Sequence, residues 1–256
     1  MQPKGTDPET MNSLNTLFSV LDGLKEHERI GVTDLAEATG IAKSTVHRYL
    51  QTLEHHGYVS NERGIYRLTY RFLEFGGIVR MRNPYFDEIT EKVDYLAAET
   101  GEHVHYFIEE NGAGVSVYKK RGSHAIRTDS HVGQRFDLHH IAAGKAMLSA
   151  FSDQQVQRIV ELRGLEALTA NTIVDEESLL AELATCRQRG YAINDREVAD
   201  TIKSVGVPLA LQNDGLVGAI SISGPATRFD DDRIENELAP LLQGVQNELQ
   251  INLGFL

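Results

Sequence analysis

Four groups of side chains in this sequence have types and spacings that could do chemistry. The first is Lys43, Ser44, Thr45, His47 and Arg48, a polar run interrupted only by Val46. On a helix these side chains lie on the outer surface, and N-terminal polar residues of such a helix can reach base edges in a DNA major groove. The second is Ser221 and Ser223, which alternate with Ile220 and Ile222 and so face one side of a strand together. No G-x-S-x-G elbow surrounds them and no base is recognisable beside them, which favours hydrogen bonding to a ligand over acyl transfer. The third is the set of ten histidines: His103 and His105 alternate onto one strand face, with His131, His139 and His140 nearby in sequence. Zinc needs three or four converging ligands, and His pairs on strands are common without metal, so no metal site is assigned. The fourth is Gly144-Lys145, but a phosphate loop would need Gly at 139 and Ser or Thr at 146, where the chain has His139 and Ala146. With no HExxH motif either, no catalytic residue is assigned and no cofactor is expected.

The elements that must position these groups follow from periodicity and punctuation. Leu14, Leu17, Phe18, Leu21 and Leu24 recur at helical spacing as one apolar face. Thr33 is expected to cap a second helix, with Asp34 in its first turn and Gly40 ending it. A third helix, 42–55, buries Val46, Tyr49, Leu50 and Leu53 and so turns the polar run outward. Tyr58-Val59 and 65–68 read as strands around the turn Asn61-Glu62-Arg63-Gly64, with Arg63 at its tip. Helix, helix, sharp turn, helix and two-stranded wing make a winged helix-turn-helix, with Ala36 allowing close approach and Ile41 and Val46 filling the space between helices. Bland alternatives are a solvated helix face or a winged helix that binds protein. The helix face and the wing arginine together favour a phosphate-lined groove.

Residues 69–83 read as a linking helix weakened at Gly76-Gly77, and Pro84 opens the next segment. Beyond it come helix 85–99, stopped at Gly101, and a hairpin turning at 111–114. Helices 141–151, 153–163 and 176–189 follow, with Ser152 and Gln155 as a capping box for the second. Strands 191–195, 203–212 and 216–223 are next, the last two joined at Asn213-Asp214-Gly215, and Asp230, Asp231 and Asp232 open a final helix. The fold class is α+β: an N-terminal winged helix-turn-helix, a linking helix and a ligand-binding domain built on an antiparallel sheet. The expected divisions are a disordered tail 1–12, the DNA-binding domain 13–69, the linker 70–83 and the second domain 84–256.

Composition bounds the possibilities. The chain has 256 residues, 41% hydrophobic and 24% charged, which is ordinary for a globular protein and excludes long disorder. No apolar run suits a membrane span or a leader peptide, so a cytoplasmic protein without a membrane partner is expected. The single cysteine, Cys186, excludes an internal disulfide and reads as a small packed hydrophobe. Net charge is −12, unpromising for nucleic acid, but its distribution is uneven. Residues 1–80 hold nine basic and ten acidic side chains, leaving 16 basic and 27 acidic in the other 176. The surplus belongs to the second domain, which points to two domains with different partners.

The run VTDLAEATGIAKSTVHRYLQTLEHHGYV followed by YRLTYRFLEFG closely resembles the IclR family of transcriptional regulators. AAGKAML (142–148), TANTIVD (169–175), CRQRGYAINDRE (186–197) and GAISISGPATRF (218–229) resemble the family's C-terminal motifs in order, so the likeness runs from Ser13 to about Leu249. The resemblance implies a GAF-like effector domain that binds a small carboxylate or aromatic catabolite. The implied site comprises the backbone at Ala142 and Ala143 and side chains at Asn194, Ser204, Ser221 and Ser223. Asn194 stands where the family usually has an acid and Ser204 where it usually has cysteine, so the ligand of other members does not transfer. Partners implied are operator DNA, a small polar metabolite and a second copy of the chain, with a dimer of dimers compatible. The competing reading is a metabolite-processing enzyme with an accessory winged helix.

Overall fold

The computed structural model describes residues 10–128, 130–211 and 216–253. Contacts divide the chain into two compact units that change over between Asn83 and Pro84. The tail 1–9 and the turn Asn213-Asp214-Gly215 lie outside the described residues.

In the first unit, α1 (Asn12–Glu26), β1 (Ile30–Gly31), α2 (Val32–Thr39), α3 (Lys43–His55), β2 (Val59–Glu62), β3 (Ile65–Leu68) and α4 (Phe72–Arg80) follow in order. Val20, Leu24, Leu35, Val46, Leu50, Leu53, Val59 and Tyr66 form its core, with Ala36, Ile41 and Tyr49 packed partly buried against it. Gly40 ends α2 at φ 68°, the left-handed region a side chain resists, and so permits the sharp turn into α3. Two expectations are corrected. The wing sheet has three strands in the order β1-β3-β2, because Ile30 and Gly31 pair with Tyr66 and Ile65. That pairing draws Gly31 into the N-cap position of α2, leaving Thr33 inside the first turn, exposed and capping nothing.

The second unit begins with α5 (Phe86–Thr100), β4 (His103–Glu110), β5 (Ala113–Arg121) and β6 (Arg135–Asp137). A short 3₁₀ turn, Leu138–His140, then leads into α6 (Ala142–Ser149), α7 (Asp153–Arg163) and α8 (Glu176–Arg189). β7 (Ala192–Asp195), β8 (Ile202–Leu211) and β9 (Leu216–Pro225) complete an antiparallel sheet in the order β6-β5-β4-β9-β8-β7. The final helix starts as α9 (Asp231–Arg233), capped by Asp230, passes through a π-turn at Ile234–Leu238 and continues as α10 (Ala239–Leu253). Side-chain parity sorts the sheet into two faces. Val104, Tyr106, Val205, Val207, Ile220 and Ile222 pack against Val93 and Leu96 of α5 and Leu242 and Val245 of α10. On the other face Phe107 and Ala219 meet Ala143, Ala146 and Met147 of α6 and Leu179, Leu183 and Cys186 of α8.

Candidate functional site

Two sites emerge, one in each unit. In the first, α3 presents Lys43, Ser44, His47 and Arg48 to solvent, with Thr45 half-buried, because Val46, Leu50 and Leu53 hold the opposite face in the core. Ala42 supplies no side-chain cap, so the first N–H groups of α3 stay open and the positive end of the helix dipole suits a phosphate. The wing turn is Arg63-Gly64 at φ 56° and 86°, a two-residue hairpin turn with both residues left-handed, and Asn61 Oδ1 accepts the Gly64 N–H at 2.8 Å. Charges around it are not equivalent. Arg67 and Arg29 reach Glu62 at 2.5 and 3.4 Å, whereas Lys43, Arg48 and Arg63 make no ion pair among the described residues. Three unpaired cations on α3 and the wing offset the near-neutral charge of residues 1–80.

The second site is a cavity of about 230 Å³ on the helix-α6 side of the sheet. Register builds its floor. Asn194 lies opposite Ser204, Ser204 opposite Ser223, and Ser223 opposite His103, one polar residue on each of four adjacent strands. A second row runs Gly206, Ser221, His105 and Lys119. Neighbouring strands are ~4.8 Å apart, so the first row is a ladder of hydrogen-bonding side chains at that interval, whereas the second has no side chain at Gly206 and ends at Lys119 outside the cavity lining. Four of the expected ligand residues, Asn194, Ser204, Ser221 and Ser223, therefore line one cavity. Ala142 and Ala143 do not: they are fully buried, and Ile141 takes the lining position. Glycine at 206 allows that helix start to lie on the sheet, since a Cβ there would come within 3.0 Å of Ala142 C and Ala143 N. Phe107, Ile126, Phe136, Val198 and Ile202 supply an apolar wall.

None of the three serine hydroxyls bonds to another described residue, so Ser221 and Ser223 do not satisfy one another. His103 Nε2 lies 2.5 Å from the Ile126 carbonyl, which fixes the proton on that nitrogen. His105 stacks on Phe107 at 5.5 Å, and burial lowers its pKa to about 3. Burial also lowers that of His103, so both rings are neutral at pH 7. In the sequence the spacing of these histidines suggests metal ligation alone. Their rings are 6.0 Å apart, and no three His, Cys, Asp or Glu side chains group for a metal among the described residues. The His105–Ser221 pairing does not make a nucleophile either, because a base with a pKa of about 3 takes up a proton too weakly near neutrality. His139 and His140 both bond the Glu166 carbonyl, at 3.1 and 2.7 Å, away from the cavity. Cys186 is buried with its thiol pushed up to about 11 by burial, which makes it a packing residue.

Comparison with known proteins covers both units. The family described as "Bacterial transcriptional regulator IclR C-terminal" matches residues 82–249, and "IclR helix-turn-helix domain" matches residues 13–63. A Halobacterium salinarum protein named a probable HTH-type transcriptional regulator, ArcR, is 27% identical over 251 residues, covering 96% of this chain and 95% of that one. The crystal structure of the Thermotoga maritima IclR superposes with a TM-score of 0.79 at 30% identity, covering 96% of this chain and all of that one. An IclR homologue from Microbacterium hydrocarbonoxydans, described in complex with 4-hydroxybenzoate, shares the fold at 18% identity with a TM-score of 0.76, covering 94% of this chain and all of that one. No helix among the described residues is long and apolar enough to cross a membrane.

Proposed function

The chain belongs to the IclR family of bacterial transcriptional regulators, and we propose that its hold on operator DNA is governed by a small metabolite seated in the sheet cavity. The observation that carries this reading is the cross-strand ladder of Asn194, Ser204, Ser223 and His103, facing an apolar wall with its hydroxyls unused. Such a cavity suits a compact molecule with polar groups along one edge and carbon along the other. Uncharged dipoles line it, so a carboxylate would be held by the Ser hydroxyls and the Asn194 amide, with selectivity turning on Asn194. A sugar-derived acid or other polyhydroxylated catabolite uses the whole ladder. An aromatic hydroxy acid, the ligand class of the Microbacterium homologue, would use its ends and the wall of Phe107 and Phe136.

In the first unit α3 enters the major groove, with Lys43, Ser44, Thr45, His47 and Arg48 as its contacts, while Arg63 and Thr33 meet phosphate. The working form is a cytoplasmic homodimer, itself able to pair, because α4 exposes Leu73, Phe75, Ile78 and Val79 and buries no residue within its own chain. Ligand binding shifts the population between dimer geometries whose recognition helices do or do not match two half-sites. The experiment is a mobility shift with the DNA upstream of the protein's own gene, with and without a metabolite panel. Retardation that one metabolite alters supports the reading. No retardation under any condition, or chemical turnover of a panel member, rejects it.

A further inference from the structure

On the same side of the sheet as the cavity lies a buried charge pair that the effector reading does not use. Lys145 on α6 is 1% exposed, and its Nζ donates to Glu197 Oε1 at 2.6 Å, with Glu182 Oε1 of α8 at 3.9 Å. Glu197 is itself buried, its Oε2 has no hydrogen-bond partner among the described residues, and burial pushes its pKa up against the pull of Lys145. Exchanging a buried ion pair for packed apolar side chains is often neutral or stabilising, so stability alone is a weak reason for this one. Its geometry suggests another. The Glu197 backbone N–H donates to Asn194 Oδ1 at 2.8 Å, Oε1 accepts the Asp195 N–H at 3.3 Å, and the Glu197 carbonyl accepts Thr172 Oγ1 at 2.8 Å. The turn between them is tight, with Arg196 in the left-handed region at φ 61°. Asn194 therefore turns its oxygen toward the Glu197 N–H of the turn. Its Nδ2 makes no hydrogen bond to the described residues and belongs to a side chain lining the cavity.

We propose that Lys145 and Glu197 are positioning residues that clamp the 194–197 turn to α6 and so present the Asn194 amide N–H groups to the effector. The effector then presents an acceptor, a carboxylate or carbonyl oxygen, at Asn194. This rests on the cavity being the effector site, but the clamp can be tested apart from it. In a Lys145→Met/Glu197→Leu variant of the full chain, amide hydrogen exchange at residue 197 should accelerate at least ~10-fold. Exchange along α8 should stay at the wild-type rate, and Lys145→Arg should keep residue 197 protected. Unchanged exchange at 197, or acceleration spread evenly through the unit, overturns the clamp. The second readout is calorimetry with matched probes, D-gluconate against D-sorbitol and 4-hydroxybenzoate against 4-hydroxybenzyl alcohol. Wild type should prefer the acid in whichever frame it binds, by at least ~10-fold. The double variant should lose that preference while retaining operator binding, an outcome that mere loss of stability would not produce. A preserved acid preference in the double variant also overturns the proposal. If Ser221→Ala/Ser223→Ala leaves probe binding untouched while the exchange result holds, the cavity is not the effector site and the clamp stands on its own.

Discussion

Arg48 projects from the solvent face of α3 one residue beyond His47, with no ion pair among the described residues. A guanidinium so placed can read guanine through two parallel hydrogen bonds, so Arg48→Ala should cost ~1–3 kcal/mol and relax specificity at one base. Titration against operator variants checks this, and unchanged specificity excludes the contact. Arg63, at the wing tip, should behave differently. Its loss should weaken all sequences alike and reduce the slope of log K against log salt by about one. At the same scale His105 sets a pH dependence. Its folded pKa of about 3 lies below the ~6.5 of an unfolded histidine, and His139, at about 4, shifts the same way through burial. The unfolded chain thus takes up protons that the folded one refuses. The stability these two rings protect is whole above pH ~6.5 and is lost as pH falls toward 4 and then 3. Urea midpoints should drop between pH 7.5 and pH 5, and His105→Phe should flatten that drop. A wild-type midpoint insensitive to pH over this range would contradict the assignment.

The elements show which features a sequence carries and which it does not. Local chemistry is legible: Gly101 ends α5 in the left-handed region, and Ser152 with Gln155 forms the capping box of α7. Alternation put Ser221 and Ser223 on one face because period two is a property of a single strand. Placing His103 beside Ser223 was not possible that way, since β4 and β9 are distant in sequence and their register is fixed only by packing. The Lys145–Glu197 pair was hidden for the same reason, its partners being separated by 52 positions. β1 escaped notice because two residues carry no periodicity, and the misplaced cap at Thr33 followed from it. The linking helix is shorter than its sequence pattern predicts, Phe72–Arg80 against 69–83, and it passes through Gly76-Gly77 unbroken. Nine residues with no buried face do not make a stable helix alone, so α4 needs a covering surface. On the proposal that a second copy supplies it, light scattering at micromolar concentration should give a dimer or tetramer, and Leu73→Glu/Ile78→Glu should lower the mass. Retention of full mass by that variant would move the interface elsewhere. Within the core, Leu50→Ala should cost ~2–5 kcal/mol and weaken DNA binding through loss of α3 rather than of a contact.

For the molecule as a whole, the question is how a chain of net charge −12 holds a polyanion. The balance is −1 over residues 1–80 and −11 beyond, so the DNA-facing unit escapes most of the acidity. Seventeen arginines against eight lysines and an excess of acid also characterise salt-adapted proteins, although a charge of −12 over 256 residues is moderate for any acidic protein. Salt acts on the two units with opposite signs. In the second unit it screens repulsion among surplus carboxylates, and the buried Lys145–Glu197 contact lies beyond its reach. The thermal midpoint of this unit should therefore rise from low to molar KCl. A falling midpoint would mean that exposed pairs such as Lys120–Asp94 dominate its electrostatics. In the first unit salt should compete for phosphate with the proposed contacts Lys43, Arg48 and Arg63, and a protein making ~6–10 such contacts loses ~10³–10⁵ in affinity between 50 and 200 mM. Screening of the acidic unit's repulsion from DNA works against that loss. Operator affinity should accordingly fall less steeply with salt than its phosphate contacts alone require, and a Kd series over KCl measures the difference. A slope equal to that of the separated DNA-binding unit on the same operator would show that the acidic unit has no electrostatic part in binding. A shallower slope in the full chain would show that its carboxylates tune how strongly ionic strength controls the regulator.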